Sequence, residues 1–125
     1  DPQHLEDPFR RLPFDDASFD VVVAAYSIHH LDDDAKRVAI REMSRVLRPG
    51  GRIVVADTMF ADEGHKARAL NEEADLEDEY HPLLSSFPAM FEEVGLSVRL
   101  HQIGPLVWIL VARAPASDGP TASGW

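Results

Sequence analysis

The sequence contains no cysteine, which excludes disulfide staples, thiolate nucleophiles and cysteine-based zinc sites. Basic residues are scarce: 12 Lys and Arg face 22 Asp and Glu, for a net charge of −10. That imbalance argues against a sequence-independent grip on nucleic acid and mainly supplies solubility. No apolar run approaches the roughly 20 residues that span a bilayer, and no signal-peptide pattern opens the chain. No membrane partner is therefore expected, and the cytoplasm is the default location. The glycine fingerprint of a dinucleotide site is missing, and with it the NAD-binding reading. The acidic run from Glu72 to Glu79 lacks the spacing of a calcium loop. His65, His81 and His101 fall on different elements and the rings of His29 and His30 are expected to diverge, so no metal site is expected. The chain opens on Asp1-Pro2, close to what reads as the middle of a fold, which fits a piece of a longer protein.

What is present suits one α/β domain with a modest core: 125 residues, 45% of them hydrophobic. Residues 1–114 read as the domain and 115–125 as a flexible tail rich in Pro, Ser and Gly. Residues 1–18 form a loop anchored by Leu12-Pro13-Phe14, and Asp15-Asp16-Ala17-Ser18 turns it into the first strand. That strand, from Phe19, carries a continuous apolar block from Val21 to Ala25, the mark of a strand buried on both faces. Asp32 or Asp33 can cap a following helix, in which Ala35, Val38, Ala39, Met43, Val46 and Leu47 recur at helical spacing before Pro49-Gly50-Gly51 stops it. Its other face carries Lys36, Arg37, Arg41, Arg45 and Arg48 and reads as solvated. Arg52 to Asp57 is a second apolar strand, which completes a right-handed βαβ unit.

Beyond it, Ala61 to Tyr80 is acidic with a thin apolar stripe, as expected of a mobile helical cover. Leu83, Leu84, Phe87, Met90, Phe91 and Val94 form a stronger helical stripe; Pro88 fits its first turn and Gly95 can close it. Leu96, Val98 and Leu100 then alternate with polar residues, and Gly104-Pro105 turns the chain into a final strand, Leu106 to Ala112, expected to return antiparallel. Polar side chains just past the C-terminal end of a buried parallel strand stand where open α/β sheets hold ligands. Tyr26, Ser27, His29 and His30 are therefore the first candidates for chemistry, with Asp57 near the same sheet edge.

Three patterns in this order, Leu12-Pro13-Phe14-x-x-x-Ser18-Phe19-Asp20-Val21-Val22, His29-His30-Leu31, and Arg45-Val46-Leu47-Arg48-Pro49-Gly50-Gly51 running into Ile53-Val54-Val55-Ala56-Asp57, resemble the class I S-adenosylmethionine-dependent methyltransferases. The resemblance is closest to the small-molecule branch that includes the ubiquinone and menaquinone methyltransferases, and it covers residues 7 to 113. It implies a Rossmann-like methyltransferase fold, here partial: a mixed sheet of two parallel strands plus a C-terminal antiparallel pair, flanked by helices. In that family a glycine-rich turn after the first strand and an acidic residue ending the second hold the cofactor. Nothing before Phe19 supplies either, so the chain looks like the C-terminal half of the fold and is expected to be inactive alone.

In the family the fourth strand lies beside the first, so the Phe19–Ala25 strand is expected to expose an apolar edge. Such an edge is a template for pairing. It is expected to pair with a missing N-terminal half, with a second copy in a homo-oligomer, or with a rearranged segment of the same chain. The competing function is a noncatalytic fragment or subunit that associates through that edge.

For the cofactor S-adenosylmethionine the resemblance points to an acidic residue before Leu-Pro-Phe, best matched by Asp7, with Glu6 as the alternative. Leu12 either touches the adenine or anchors the loop, and backbone near Ala25 and Tyr26 is expected to line the sulfonium. For an oxygen nucleophile on a small-molecule substrate, His30 or His29 can act as general base. The resemblance to sugar and small-molecule O-methyltransferases pairs a histidine here with an acid at Asp57. His29 can equally pack or cap the helix start, and a carbon nucleophile needs no base.

Overall fold

The computed structural model describes residues 11–72 and 80–116. Strand β1 (Phe19–Ala25) runs through one 3-10 turn (Ile28–His30) into helix α1 (Asp33–Val46), strand β2 (Leu47–Thr58) and helix α2 (Glu63–Glu72). Helix α3 (Phe87–Glu92) then leads into strands β3 (Ser97–Gln102) and β4 (Val107–Arg113). The sheet order is β1-β2-β4-β3, with β1 and β2 parallel and β4 antiparallel to both β2 and β3. This is the mixed α/β sheet that the sequence implies.

Helix α1 starts where Asp32 accepts the Ala35 N–H at 2.9 Å. Its Ala39, Ile40 and Met43 share one face and pack with Phe87, Met90 and Phe91 against Ile53, Val55, Leu110 and Ala112 of the sheet. Alternation along β2 sends Ile53, Val55 and Asp57 into this core and leaves Val54 and Ala56 half-buried on the other face. There Val23, Val54 and Val111 line up across three strands. Val23 is 66% exposed and Val21 38%, so β1 is not buried on both faces as its apolar run implies. The continuous valines report an apolar environment on each side, and among the described residues the packed helices α1 and α3 supply only one.

Three further expectations are corrected. The helix ends at Val46, because Leu47 turns extended (ψ 133°) and pairs with Phe19, so β2 begins five residues before Arg52. Residues 48–51 bulge between that pair and the next, Val21 with Arg52, and the bulge folds back so tightly that a Cβ on Gly51 would stand 2.7 Å from the Asp20 carbonyl oxygen. The later helix shortens to Phe87–Glu92, since Pro88 in its first turn ends the ladder on the upstream side. Leu83 instead forms a parallel bridge with Phe60, flanked by the bonds Phe60 N–H to Pro82 O (3.1 Å) and Leu84 N–H to Phe60 O (2.8 Å). On α1, Lys36 is buried and Arg45 is engaged, so neither belongs to a solvated face.

Arg45 donates to the carbonyls of Leu12 (3.0 Å) and Phe14 (2.9 Å) and to Asp16 Oδ1 (2.7 Å), and Glu42 Oε1 accepts the Leu12 N–H at 2.9 Å. Together they hold the loop before β1 onto the helix. The hydrogen bond from Arg45 keeps the Glu42 carboxyl below the usual value of 4.5. A folded-state pKa below the unfolded one gives stability that is complete above the unfolded value and is lost as pH falls through the folded value. Acidification below pH 4.5 is therefore expected to free the Leu12 amide before α1 melts. Amide exchange followed against pH checks this, and Glu42→Gln should abolish the pH dependence at Leu12.

Candidate active site

Strands β1 and β2 end side by side, with Ala25 opposite Ala56. At this edge Tyr26 turns away with φ of +56° while its N–H bonds to Ala56 O at 2.8 Å. A bulky residue in the left-handed region costs roughly 1–2 kcal/mol, and the turn aims the following 3-10 segment back across the end of β2. There His29 meets Asp57 at two points: its backbone N–H reaches Oδ2 at 3.2 Å, and its ring Nδ1 lies 2.8 Å from Oδ1. The Thr58 N–H also donates to Oδ1, at 2.8 Å. Asp57 is fully buried and the His29 side chain is 16% exposed. A carboxylate can only accept, so the ring contact places hydrogen on Nδ1 and leaves the lone pair on Nε2. Such an arrangement is able to orient an imidazole that accepts a proton at Nε2.

The His29 and His30 rings do not diverge: their centroids lie 4.2 Å apart, and His81 stacks on His29 at 5.3 Å and 17°. Asp57 meets His29, while His30 lies exposed on its outer side. No group of three or more His, Asp or Glu among the described residues is placed to hold a metal ion. His81, with Tyr80, Lys36 and Lys66, also lines a cavity of about 290 Å³. Lys36 is 1% exposed, and burial, the largest cause, pushes its ammonium below the usual lysine range, with nearby Lys66 adding to the fall and Asp33 and Asp57 opposing it.

Of the cofactor candidates, Asp7 lies outside the described residues. Leu12 is half-buried against the core and held at both backbone groups by Glu42 and Arg45. Ala25 and Tyr26 stand exposed at the open strand end, away from Leu12's anchor. Sequence reasoning missed Lys36, Tyr80 and His81 as part of this corner. Lys36 had a signal, since it precedes Ala39 and Ile40 by three and four residues and so shares their apolar face. His81 had none, because its place beside His29 is set by the fold.

A family model described as a methyltransferase domain matches residues 2–55. An uncharacterized methyltransferase of Bacillus pumilus is 39% identical over 103 residues, which is 75% of this chain and 48% of that protein. The chain belongs to the class I S-adenosylmethionine-dependent methyltransferases. The PH0226 protein of Pyrococcus horikoshii superposes on this methyltransferase chain with a TM-score of 0.68 at 19% identity, covering 84% of this chain and 56% of that one. An O-methyltransferase family protein of Burkholderia thailandensis gives 0.65 at 23% identity, covering 79% and 31%. The methyltransferase chain spans about half the length of the curated relatives it matches. No described helix is long and apolar enough to cross a membrane.

Proposed function

We propose that this chain carries the acceptor side of an enzyme that moves a methyl group from S-adenosylmethionine to a small molecule, with His29 as general base and Asp57 as its orienting acid. The observation that carries the reading is the two-point grip of Asp57 on His29, by ring and by backbone. The cofactor supplies a methyl group activated for in-line displacement. The residues present fit one wall of a site for it: Ala25 and Tyr26 are exposed at the end of β1, and the aromatic ring there is that of Tyr26. His29 Nε2 takes the proton from an acceptor hydroxyl, and Asp57 holds Nδ1–H and offsets the positive charge that the ring acquires. An acidic hydroxyl acceptor agrees with the resemblance to the quinone-methylating branch.

The glycine-rich turn is proposed to come from an N-terminal half that lies against β1. A second reading, a noncatalytic subunit that associates through β1, is favoured by a different observation. Val21, Val23, Phe14 and Phe19 line an apolar depression of about 310 Å³ next to that strand.

The test combines this chain with the N-terminal half of the Bacillus pumilus relative. Calorimetry should show no S-adenosylhomocysteine binding by the chain alone and binding by the pair. His29→Gln in the pair should cut methyl transfer to a phenolic acceptor by roughly 10²–10⁴-fold without weakening cofactor binding. Tight binding by the isolated chain contradicts the missing-half reading, and full turnover by His29→Gln contradicts the assigned base.

A further inference from the structure

We infer that Lys36 is a positioning residue for the His29–Asp57 pair, acting through the backbone of Tyr80 to hold His81 against the His29 ring. The inference rests on the proposed role of that pair. The side chain of Lys36 runs from the first turn of α1 into the corner where three segments meet. Its Nζ donates to Leu31 O at 2.6 Å and to Tyr80 O at 2.5 Å. The Tyr80 N–H in turn donates to His29 O at 2.9 Å. Tyr80 is thus gripped at both backbone groups, by Lys36 on one side and by the histidine turn on the other, and Leu31 closes the ring of contacts. The Nζ lies 5.9 Å from the centre of the Tyr80 ring, which adds an attraction of cation to π face.

The next residue is His81, which this clasp sets 5.3 Å from His29 with the rings nearly parallel. His29 is then fixed on three sides: Asp57 at its Nδ1, His81 on one ring face and His30 beside it. An apolar side chain at position 36 would fill the same space but leave two part-buried carbonyls without this donor. The two acceptors give the buried lysine partners although burial disfavours its charge. A hydrogen-bonded support behind a reacting group is what holds it within the narrow geometry that proton transfer requires.

Two variants test the clasp on the chain as it stands, by nuclear magnetic resonance, with no cofactor or acceptor present. Lys36→Met is expected to speed Tyr80 amide exchange by roughly tenfold or more, and to broaden or lose the His29 Nδ1–H signal while that of the Thr58 amide persists. Lys36→Arg, which keeps the donors, should restore both. Tyr80→Pro removes the bond to His29 O at a largely exposed residue and serves where Lys36→Met does not fold; it should disturb the His29 ring signals with Lys36 intact. A folded Lys36→Met, or failing that Tyr80→Pro, with wild-type His29 signals overturns the inference. Failure of the wild-type pair of halves to transfer a methyl group, with these signals perturbed as expected in the variants, sinks the proposed activity and leaves the clasp in place.

Discussion

Asp57→Ala is expected to destabilise the chain by about 2–4 kcal/mol, because it strips the acceptor from three N–H donors at once: the His29 ring, the His29 backbone and Thr58. An abandoned buried donor costs about 1–3 kcal/mol, and the sum is moderated because His29 sits at the rim, where water can reach it. Asp57→Asn keeps one carbonyl oxygen and should cost less, about 1–2 kcal/mol, since it still accepts from some of the same donors. Against a typical total of about 5–15 kcal/mol, the alanine variant sits near the threshold of folding. Urea denaturation of the two variants measures the difference. An unchanged midpoint for Asp57→Ala would mean that the carboxylate is not the organising acceptor of this corner. In the proposed pairing with an N-terminal half, Asp57→Asn that retains the fold should still lose turnover, because an amide cannot offset the imidazolium charge.

The second large effect concerns β1. It stands at the end of the sheet, and Val23 and Val21 present apolar surface there. Burying a valine contributes about 1.5–3 kcal/mol. The chain is therefore expected to self-associate at micromolar concentration, and to bind the N-terminal half of its relative in competition with itself. Val21→Lys with Val23→Lys should weaken either association by roughly a hundredfold or more, with the βαβ core intact by circular dichroism. Sedimentation of both forms over a range of concentrations checks this. A wild-type chain that stays monomeric throughout, with β1 amides exchanging freely, removes the case for a partner on this strand.

The sheet was legible in the sequence because its segments are punctuated locally. Asp32 caps α1 where the aspartates predict, and Gly95, at φ of +88°, adopts the left-handed backbone of a closing residue after α3. The extent of β2 was not legible, since Leu47 carries the helical apolar period and pairing with Phe19 overrides it. Nor was the exposure of Val23, since an apolar run records what a strand is suited to meet and not whether it is met. At the candidate site the gathering of Asp57 and the two histidines at one sheet edge was readable from their position after apolar strands. Which imidazole meets the carboxylate was not, because that depends on the left-handed turn at Tyr26, a residue type that gives no warning of it.

The bridge between Phe60 and Leu83 gives the chain a modular character. After Phe60 the chain leaves the end of β2 through α2, and Leu83 meets Phe60 again beside the paired imidazole and carboxylate. Closing a longer excursion costs little, about 0.6 kcal/mol for each doubling of length. A cassette of different size that keeps Tyr80 and His81 against His29 can therefore replace this one without re-registering a strand. A laboratory graft between relatives at the same two junctions should inherit the donor's taste for acceptors while keeping the recipient's scaffold.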